Sequence, residues 1–368
     1  MTVTAAELSA DVRDRYWDAL CRGDRTAAVA AALGELERGV PAIQIFDELV
    51  RPAQLEVGRQ WATNSWGVAR EHVATSISED VVAALGARTV SGPARGRIVV
   101  TCVEGEWHAL PARILSESLR LSGWDVSYLG ASVPAPHLVS YLHDLGPDLV
   151  ALSCSVSTSL QRARRMIEAA RGAGVPVLAG GRGFGPDGRW ALALGANGWA
   201  PDPTAALALI ESDSWPAFTD PAPPLEHPDD AHVRLRAAHA DLVDATMAEL
   251  ARRFPPMAAY GAEQRARTVE DIGYILDFLT AALFLDDVEL FTDFVGWLAE
   301  ILTARGVPAA AVQLGLDALD AVLDAVLDTA TDRPSDAATA PAATAADWSR
   351  TRSFLACGKE RVTPLTAQ

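Results

Sequence analysis

The stretch GRIVVTCVEGEWHALPARIL, residues 96–115, decides the fold. An apolar, β-branched segment runs into a loop, and Pro111 then marks the start of a helix. A short apolar strand followed by a helix is the repeating unit of a buried parallel sheet. The unit recurs. Further strand candidates are DVSYLG, DLVALSC, VPVLAGG and the short GWAPD; helices are expected to begin near Ala109, Ala135, Ser159, Asp187 and Pro203. Five such units predict a flavodoxin-like, doubly wound α/β domain of five parallel strands over residues 93–213. Ligands of such a domain sit beyond the carboxyl ends of the strands, where the strand order switches. EGEWHALP is the first loop at that edge. It places an imidazole, His108, two residues after a carboxylate, Glu106.

Outward from this domain the chain reads as helix. Residues 1–92 predict a helical bundle. Within it, TAAVAAALGELERG ends at Gly39, and Ile43, Phe46, Val50 and Leu55 form a helical stripe. Residues 214–228 are proline-rich and predict a linker. Residues 229–328 carry four apolar stripes, among them Leu235–Ala238–Leu242–Ala245 and Ile272–Ile275–Leu279–Leu283, and predict a second all-α domain. Residues 329–368 are taken as a low-complexity tail, with the stretch TATDRPSDAATAPAATAAD read as disordered and Cys357 lying beyond it.

Composition narrows the function. The 368 residues are 49% apolar, enough for normal cores, and carry a formal net charge of −17. A duplex phosphate backbone calls for a basic footprint, so direct nucleic-acid binding is not expected. Four scattered cysteines without a CxxC pair argue against a disulfide framework or zinc site and for a reducing cytoplasm. Neither a signal peptide nor an apolar run long enough for a membrane span is seen.

A histidine can ligate a metal through one ring nitrogen when the other donates to an acceptor, and Glu106 is near enough in sequence to accept. EGEWHALP stands where cobalamin-binding domains carry an Asp-x-His-x-x-Gly motif, with Glu106 for the aspartate and Pro111 for the glycine. The chain resembles that family at three further places: the Ser-rich loop LSCSVSTSL, the pair Gly180–Gly181 in AGGRG, and the preceding helical block. The resemblance implies that His108 is the lower axial ligand of cobalt, that Ser159 and Glu106 form a relay to it, and that Ser153 and Ser157 contact a buried nucleotide tail lying against Gly180 and Gly181. The helical block would cap the upper face of the corrin.

In that block Trp61 is followed by Glu71 and His72, a Trp-x9-Glu-His spacing similar to that of the CarH type of adenosylcobalamin photoreceptor. The resemblance implies that Trp61 packs on an adenosyl group and that Glu71 and His72 hold it. Those photoreceptors carry a DNA-binding domain ahead of the bundle, where only about fifteen residues stand here, and a histidine where Ala62 stands here. With the all-α block added, the chain is most similar to the photocobilins, which join a cobalamin domain to a globin-like bilin-binding domain. That likeness implies a cytoplasmic light sensor holding adenosylcobalamin and non-covalent biliverdin. His239, Tyr260 and Tyr274 are candidates for the bilin slot, and Arg236, Arg265 and Arg267 for its propionates. Haem, with His232 or His239 as ligand, is the alternative there. The chain is expected to signal through a separate protein or a homo-oligomer and not to be an enzyme. Other readings are a corrinoid methyl carrier that docks a methyltransferase and a globin-like stress sensor; a radical mutase is disfavoured because the chain lacks a substrate barrel.

Overall fold

The computed structural model describes residues 6–89, 94–330 and 348–366. It divides into two compact units, residues 1–224 and 225–368.

The first unit opens with five helices: α1 (Val12–Arg22), α2 (Arg25–Glu37), α3 (Ala42–Ile45), α4 (Arg51–Ala62) and α5 (Val68–Arg88). Gly23 ends α1 in the left-handed region (φ 67°), and the Asp24 side chain caps α2 by accepting from the Ala27 amide at 3.0 Å. A π-helical turn, Phe46–Val50, joins α3 to α4. Its cause is Pro52, which has no N–H for the carbonyl of Glu48. Arg13 donates to that carbonyl from its Nε at 3.2 Å. The wider turn also breaks the 3.6-residue spacing of the expected stripe. Phe46 and Val50 stay in the bundle core, whereas Leu55 is rotated off it and is 65% exposed.

The sheet follows. Strands β1 (Arg97–Cys102), β2 (Asp125–Gly130), β3 (Leu149–Ser153), β4 (Val177–Gly180) and β5 (Gly198–Ala200) are all parallel, in the order β2-β1-β3-β4-β5. This is the flavodoxin-like order that the five strand–helix units predict. The connecting helices are α6 (Leu110–Leu121), α7 (Ala135–Leu145), α8 (Leu160–Gly172), α9 (Arg189–Ala193) and α10 (Pro203–Ile210). Ile98, Val100, Leu149, Ala151 and Leu178 pack on Ala112 and Leu119 of α6 and on Ala206 and Ile210 of α10. The bundle docks on the sheet through α5 and α6: Arg120 donates to the terminal carbonyls of Gly86 (2.6 Å) and Thr89 (3.4 Å). These carbonyls at the end of α5 thereby gain a cationic donor across the junction, that of Gly86 in addition to the Thr89 amide at 3.3 Å.

The second unit is helical among the described residues: α11 (Ala231–Ala237), α12 (His239–Arg253), α13 (Ala262–Leu285), α14 (Val288–Ala304), α15 (Ala310–Ala330) and α16 (Ser349–Thr366). The stripe residues Leu235, Leu242, Ile272, Leu279, Phe291, Leu298, Leu316 and Leu323 are all buried. His232 on α11 and His239 at the start of α12 are separated by a turn at Ala238.

The expected tail needs correction at its end. Of the stretch read as disordered, residues 331–347 lie outside the described residues; beyond it, within the span taken as low-complexity tail, α16 is a packed helix. Trp348, Phe354, Leu355 and Val362 recur at helical spacing and are buried, and Cys357 lies half-buried among them. Three cations tie α16 down. Arg350 bonds Asp229 (2.6 Å) and Asp286 (2.7 Å), Arg352 pairs with Asp324 (2.8 Å), and Lys359 reaches Asp317 and Asp320. Low-complexity composition in the preceding segment masked this short amphipathic stripe. Leu355→Ala should lower the stability of this unit by about 2–5 kcal/mol in urea unfolding; an unchanged midpoint would mean that α16 adds nothing to the core.

Candidate functional site

At the carboxyl edge of the sheet the chain leaves β1 through a tight loop. The Val103 amide bonds the Ser153 carbonyl at 2.9 Å, and Gly105 adopts φ 79°. A side chain at Gly105 would press on the Arg162 guanidinium, about 3.0 Å from where its Cβ would lie. The turn drives Glu106 inward and His108 outward. Glu106 is 2% exposed as a residue, whereas the His108 side chain is 63% exposed.

Glu106 is fully partnered. Its Oε1 accepts from His108 Nδ1 at 2.5 Å and from the His108 amide at 2.9 Å. Its Oε2 accepts from the amides of Ser155 (2.6 Å) and Val156 (3.1 Å) in the loop after β3. Burial alone would raise this carboxyl, but the bonds from His108 and from the backbone outweigh it and hold the carboxyl below the usual range. The His108 imidazole is raised, first by its bond to Glu106, against partial burial, and then by the charges of Glu106 and Glu71. Glu71 belongs to the bundle, so the upper and lower elements place their polar groups within electrostatic reach of each other. His108 Nε2 makes no hydrogen bond among the described residues.

The expected relay through Ser159 is arranged otherwise. Arg162 donates to Ser159 Oγ at 2.9 Å, and two backbone amides occupy the carboxylate oxygen that the hydroxyl was expected to meet. Ser157 donates to the Gly183 carbonyl at 3.0 Å. Ser153 ends β3 and is 5% exposed.

Beside this loop lies a cavity of about 370 Å³ between α6 and the ends of β3, β4 and β5. Ser153, Gly180 and Gly181 line it, with Leu110, Ile114, Leu178 and Trp199 as apolar wall. A Cβ at Gly181 (φ 99°) would lie 2.3 Å from the Cys154 carbonyl oxygen, so only glycine fits. Cys154 and Cys102 are buried, and burial pushes both thiols up, that of Cys102 to about 12. They are structural rather than reactive.

On the bundle side Trp61 is half-buried in the last turn of α4, and Glu71 and His72 stand in the first turns of α5. Glu71 Oε2 meets His72 Nδ1, while Thr75 Oγ1 lies within hydrogen-bond distance of Glu71 (2.9 Å) and Gln54 (3.1 Å). Sequence reasoning missed Gln54, Leu55 and Arg51 on the rim of the cavity. Nothing in their spacing marks them; the π turn that aims this face is the only signal, through Pro52.

The remaining candidates lie in the second unit. His239 Nε2 meets Asp277 (3.3 Å) and the Gly273 carbonyl (3.4 Å), next to the exposed Tyr274. Arg265 reaches the Tyr260 carbonyl, and Arg267 pairs with Glu263. Arg236 is exposed on α11. These contacts form two groups, His239 with Tyr274 and Tyr260 with Arg265.

A helical bundle set on a flavodoxin-like sheet, with an outward histidine held by a buried carboxylate and a glycine-lined slot beside it, defines a corrinoid-binding protein. The comparisons agree. Residues 96–208 match the B12 binding domain, and residues 12–85 match a second B12 binding domain model. The chain is similar to the HTH-type transcriptional repressor CarH of Myxococcus xanthus, 31% identical over 157 residues, which are 42% of this chain and 52% of that protein. It is also similar to the dimethylamine corrinoid protein of Methanosarcina barkeri, 28% identical over 51% of this chain and 89% of that protein. A solved monomethylamine corrinoid protein of the same organism aligns with TM-score 0.47 and 18% identity, over 55% of this chain and 99% of that one. The match thus spans about half the length of the CarH repressor. One expectation is corrected: relatives named as HTH-type transcriptional repressors mean that net charge alone does not exclude a nucleic-acid partner. Among the described residues no helix is long and apolar enough to cross a membrane.

The Glu106–His108 pair gives a pH signature. The depressed Glu106 adds stability above the unfolded carboxyl value of about 4.3, and this is lost as pH falls through its folded value. The raised His108 adds stability below about 6.5, and this is lost as pH rises through its folded value. In cofactor-free protein, Glu106→Gln should therefore cost most stability between about pH 4.5 and 6.5, with the deficit shrinking on either side. NMR titration of His108 in the variant should show its pKa falling; an unmoved pKa would mean that the pair is not coupled.

Proposed function

We propose that the chain is a light sensor that holds adenosylcobalamin between its bundle and its sheet, with His108 as the lower axial ligand. The observation that carries this is the His108 imidazole, fixed at Nδ1 by a carboxylate that two backbone amides lock in place, with Nε2 left open. An imidazole oriented through one nitrogen and open at the other suits metal ligation. The slot suits a tail packed on backbone, because Gly180 and Gly181 line it without side chains, and a Cβ at Gly181 would collide with the Cys154 carbonyl behind it.

When bound, adenosylcobalamin supplies a cobalt–carbon bond that visible light breaks. The residues of this chain do the positioning. Glu106 holds the tautomer and plane of His108. Ser153, Gly180 and Gly181 line the slot and would meet the nucleotide tail, Ser157 would support its edge through the Gly183 carbonyl, and Ser159 braces the loop through Arg162. Trp61 supplies a flat wall above the corrin, with Glu71 and His72 as polar contacts for an adenosyl group. Release of that group would change what Trp61 and Glu71 touch, which biases how the bundle sits. For residues 225–368 we propose biliverdin as a second chromophore. This part rests on the sequence resemblance, with His239, Tyr260 and Tyr274 along the ring and Arg236, Arg265 and Arg267 at its propionates.

A corrinoid methyl carrier is the second reading, favoured by the match over 89% of a dimethylamine corrinoid protein. Absorption spectra separate the two. Protein loaded in the dark with adenosylcobalamin and biliverdin should lose its alkyl-cobalt bands under green light and show a red bilin band. Light-stable binding with a preference for methylcobalamin would favour the carrier; cobalamin bands without a bilin band would remove the second chromophore. His108→Ala should shift the spectrum of bound cobalamin, and no shift would sink its assignment as ligand. Trp61→Ala should weaken adenosylcobalamin about tenfold more than hydroxocobalamin; equal losses would reduce Trp61 to packing.

A further inference from the structure

We propose that Arg182 binds the phosphate of the cofactor's nucleotide tail at the rim of the slot; the inference rests on the reading that the tail enters there. The walls of the slot are largely apolar, with Ile114, Leu115, Leu178, Trp199 and Pro201 among them. Such walls accept a heteroaromatic base and the apolar face of a sugar, but not an anion. The phosphate must therefore stay at the rim, and on a chain of net charge −17 it needs a local cation.

Three residues lining the slot carry formal charge: Arg51, Arg182 and Asp202. Two are engaged. Arg51 bonds Asp47 at 2.7 Å, and the Asp202 carboxylate caps α10 by accepting from the Ala205 amide at 2.8 Å. The Arg182 carbonyl accepts from the Gly185 amide at 3.1 Å, but its side chain is exposed and makes no hydrogen bond or ion pair among the described residues. Its planar fork of N–H donors matches phosphate oxygens.

The backbone beneath it is fixed on both sides. Gly181 is held against the Cys154 carbonyl, with no room for a Cβ. The Gly183 amide donates to that carbonyl at 2.9 Å, and the Gly183 carbonyl accepts from Ser157 Oγ. Gly183 and Phe184 are buried, and Gly185 turns away at φ 88°. A guanidinium on so constrained a turn loses less freedom on binding an anion than one on a mobile loop. Cys154 also immediately precedes the Ser155 amide that holds Glu106, so the rim and the His108 anchor share one segment.

The test uses the full chain in the dark and two probes that lack the base, cobinamide phosphate and cobinamide, with hydroxocobalamin alongside. Wild-type protein should bind cobinamide phosphate about tenfold more tightly than cobinamide. Arg182→Gln should abolish that difference, weaken hydroxocobalamin by a similar factor, leave cobinamide unchanged and leave the melting temperature unchanged. Arg182→Lys should recover part of the loss, because it restores charge without the fork. If Arg182→Gln affects all three ligands equally or none, the proposal is overturned while the site reading stands. If the spectral shift on binding does not depend on His108, the site reading itself fails.

Discussion

One buried carboxylate joins the two loops on which the candidate site depends. Glu106 sits in the loop after β1, but half of its partners belong to the loop after β3. A carboxylate buried without partners would neutralise rather than stay charged. Here two amides and the imidazole compensate it, each charge-assisted bond contributing about 1.5–3 kcal/mol. The loops are therefore held together by the same group that orients His108. Loss of that group would release the histidine and free the amides of Ser155 and Val156 at once, while β1 and β3 stay paired up to Cys102 and Ser153.

The sheet was readable because its information is local and repeated. Each strand is a short apolar run bounded by turn residues, and five such runs leave little choice of topology. The histidine was readable for a related reason: glutamate and histidine two apart can meet whatever the rest of the chain does. The other half of the carboxylate's partners was not readable. Backbone amides at Ser155 and Val156 carry no side-chain signature, so a serine hydroxyl was the natural guess, and the structure gives that hydroxyl to Arg162 instead. Leu55 shows the same limit. Its place in a helical stripe assumes a regular helix, and one π turn moved it from the bundle core to the slot.

In the second unit the apolar stripes sufficed for the core but not for the final helix. Composition across residues 329–368 is dominated by small and polar residues, and the buried apolar positions of α16 and of Trp348 just before it are easily lost in that average. Packing is decided by spacing rather than by average. Trp348, Phe354, Leu355 and Val362 fall on one face, while Arg350, Arg352 and Lys359 meet carboxylates on neighbouring helices. Exposed pairs of this kind contribute little singly. Arg350 is better placed, its side chain only 17% exposed and shared between two aspartates and the Leu283 carbonyl.

The bundle does more than cover the slot, because a buried polar chain fixes the direction in which its polar groups point. Burial pushes the Tyr16 hydroxyl up to about 12, so it remains protonated and able to donate throughout the neutral range. Tyr16 meets Ser78 Oγ at 2.9 Å, and Gln54 Nε2 donates to the same oxygen at 2.7 Å. With its nitrogen committed to Ser78, the Gln54 amide must turn its oxygen toward Thr75 Oγ1. Thr75 in turn lies against Glu71. A flip of the Gln54 amide would cost both of its bonds, setting its oxygen against Ser78 Oγ, which already donates to the Ala74 carbonyl, and its nitrogen against Thr75 Oγ1. Gln54 also lines the slot. The wall that the bundle presents to a ligand is thus set by a tyrosine in its own core, and the rim inherits the rigidity of that core.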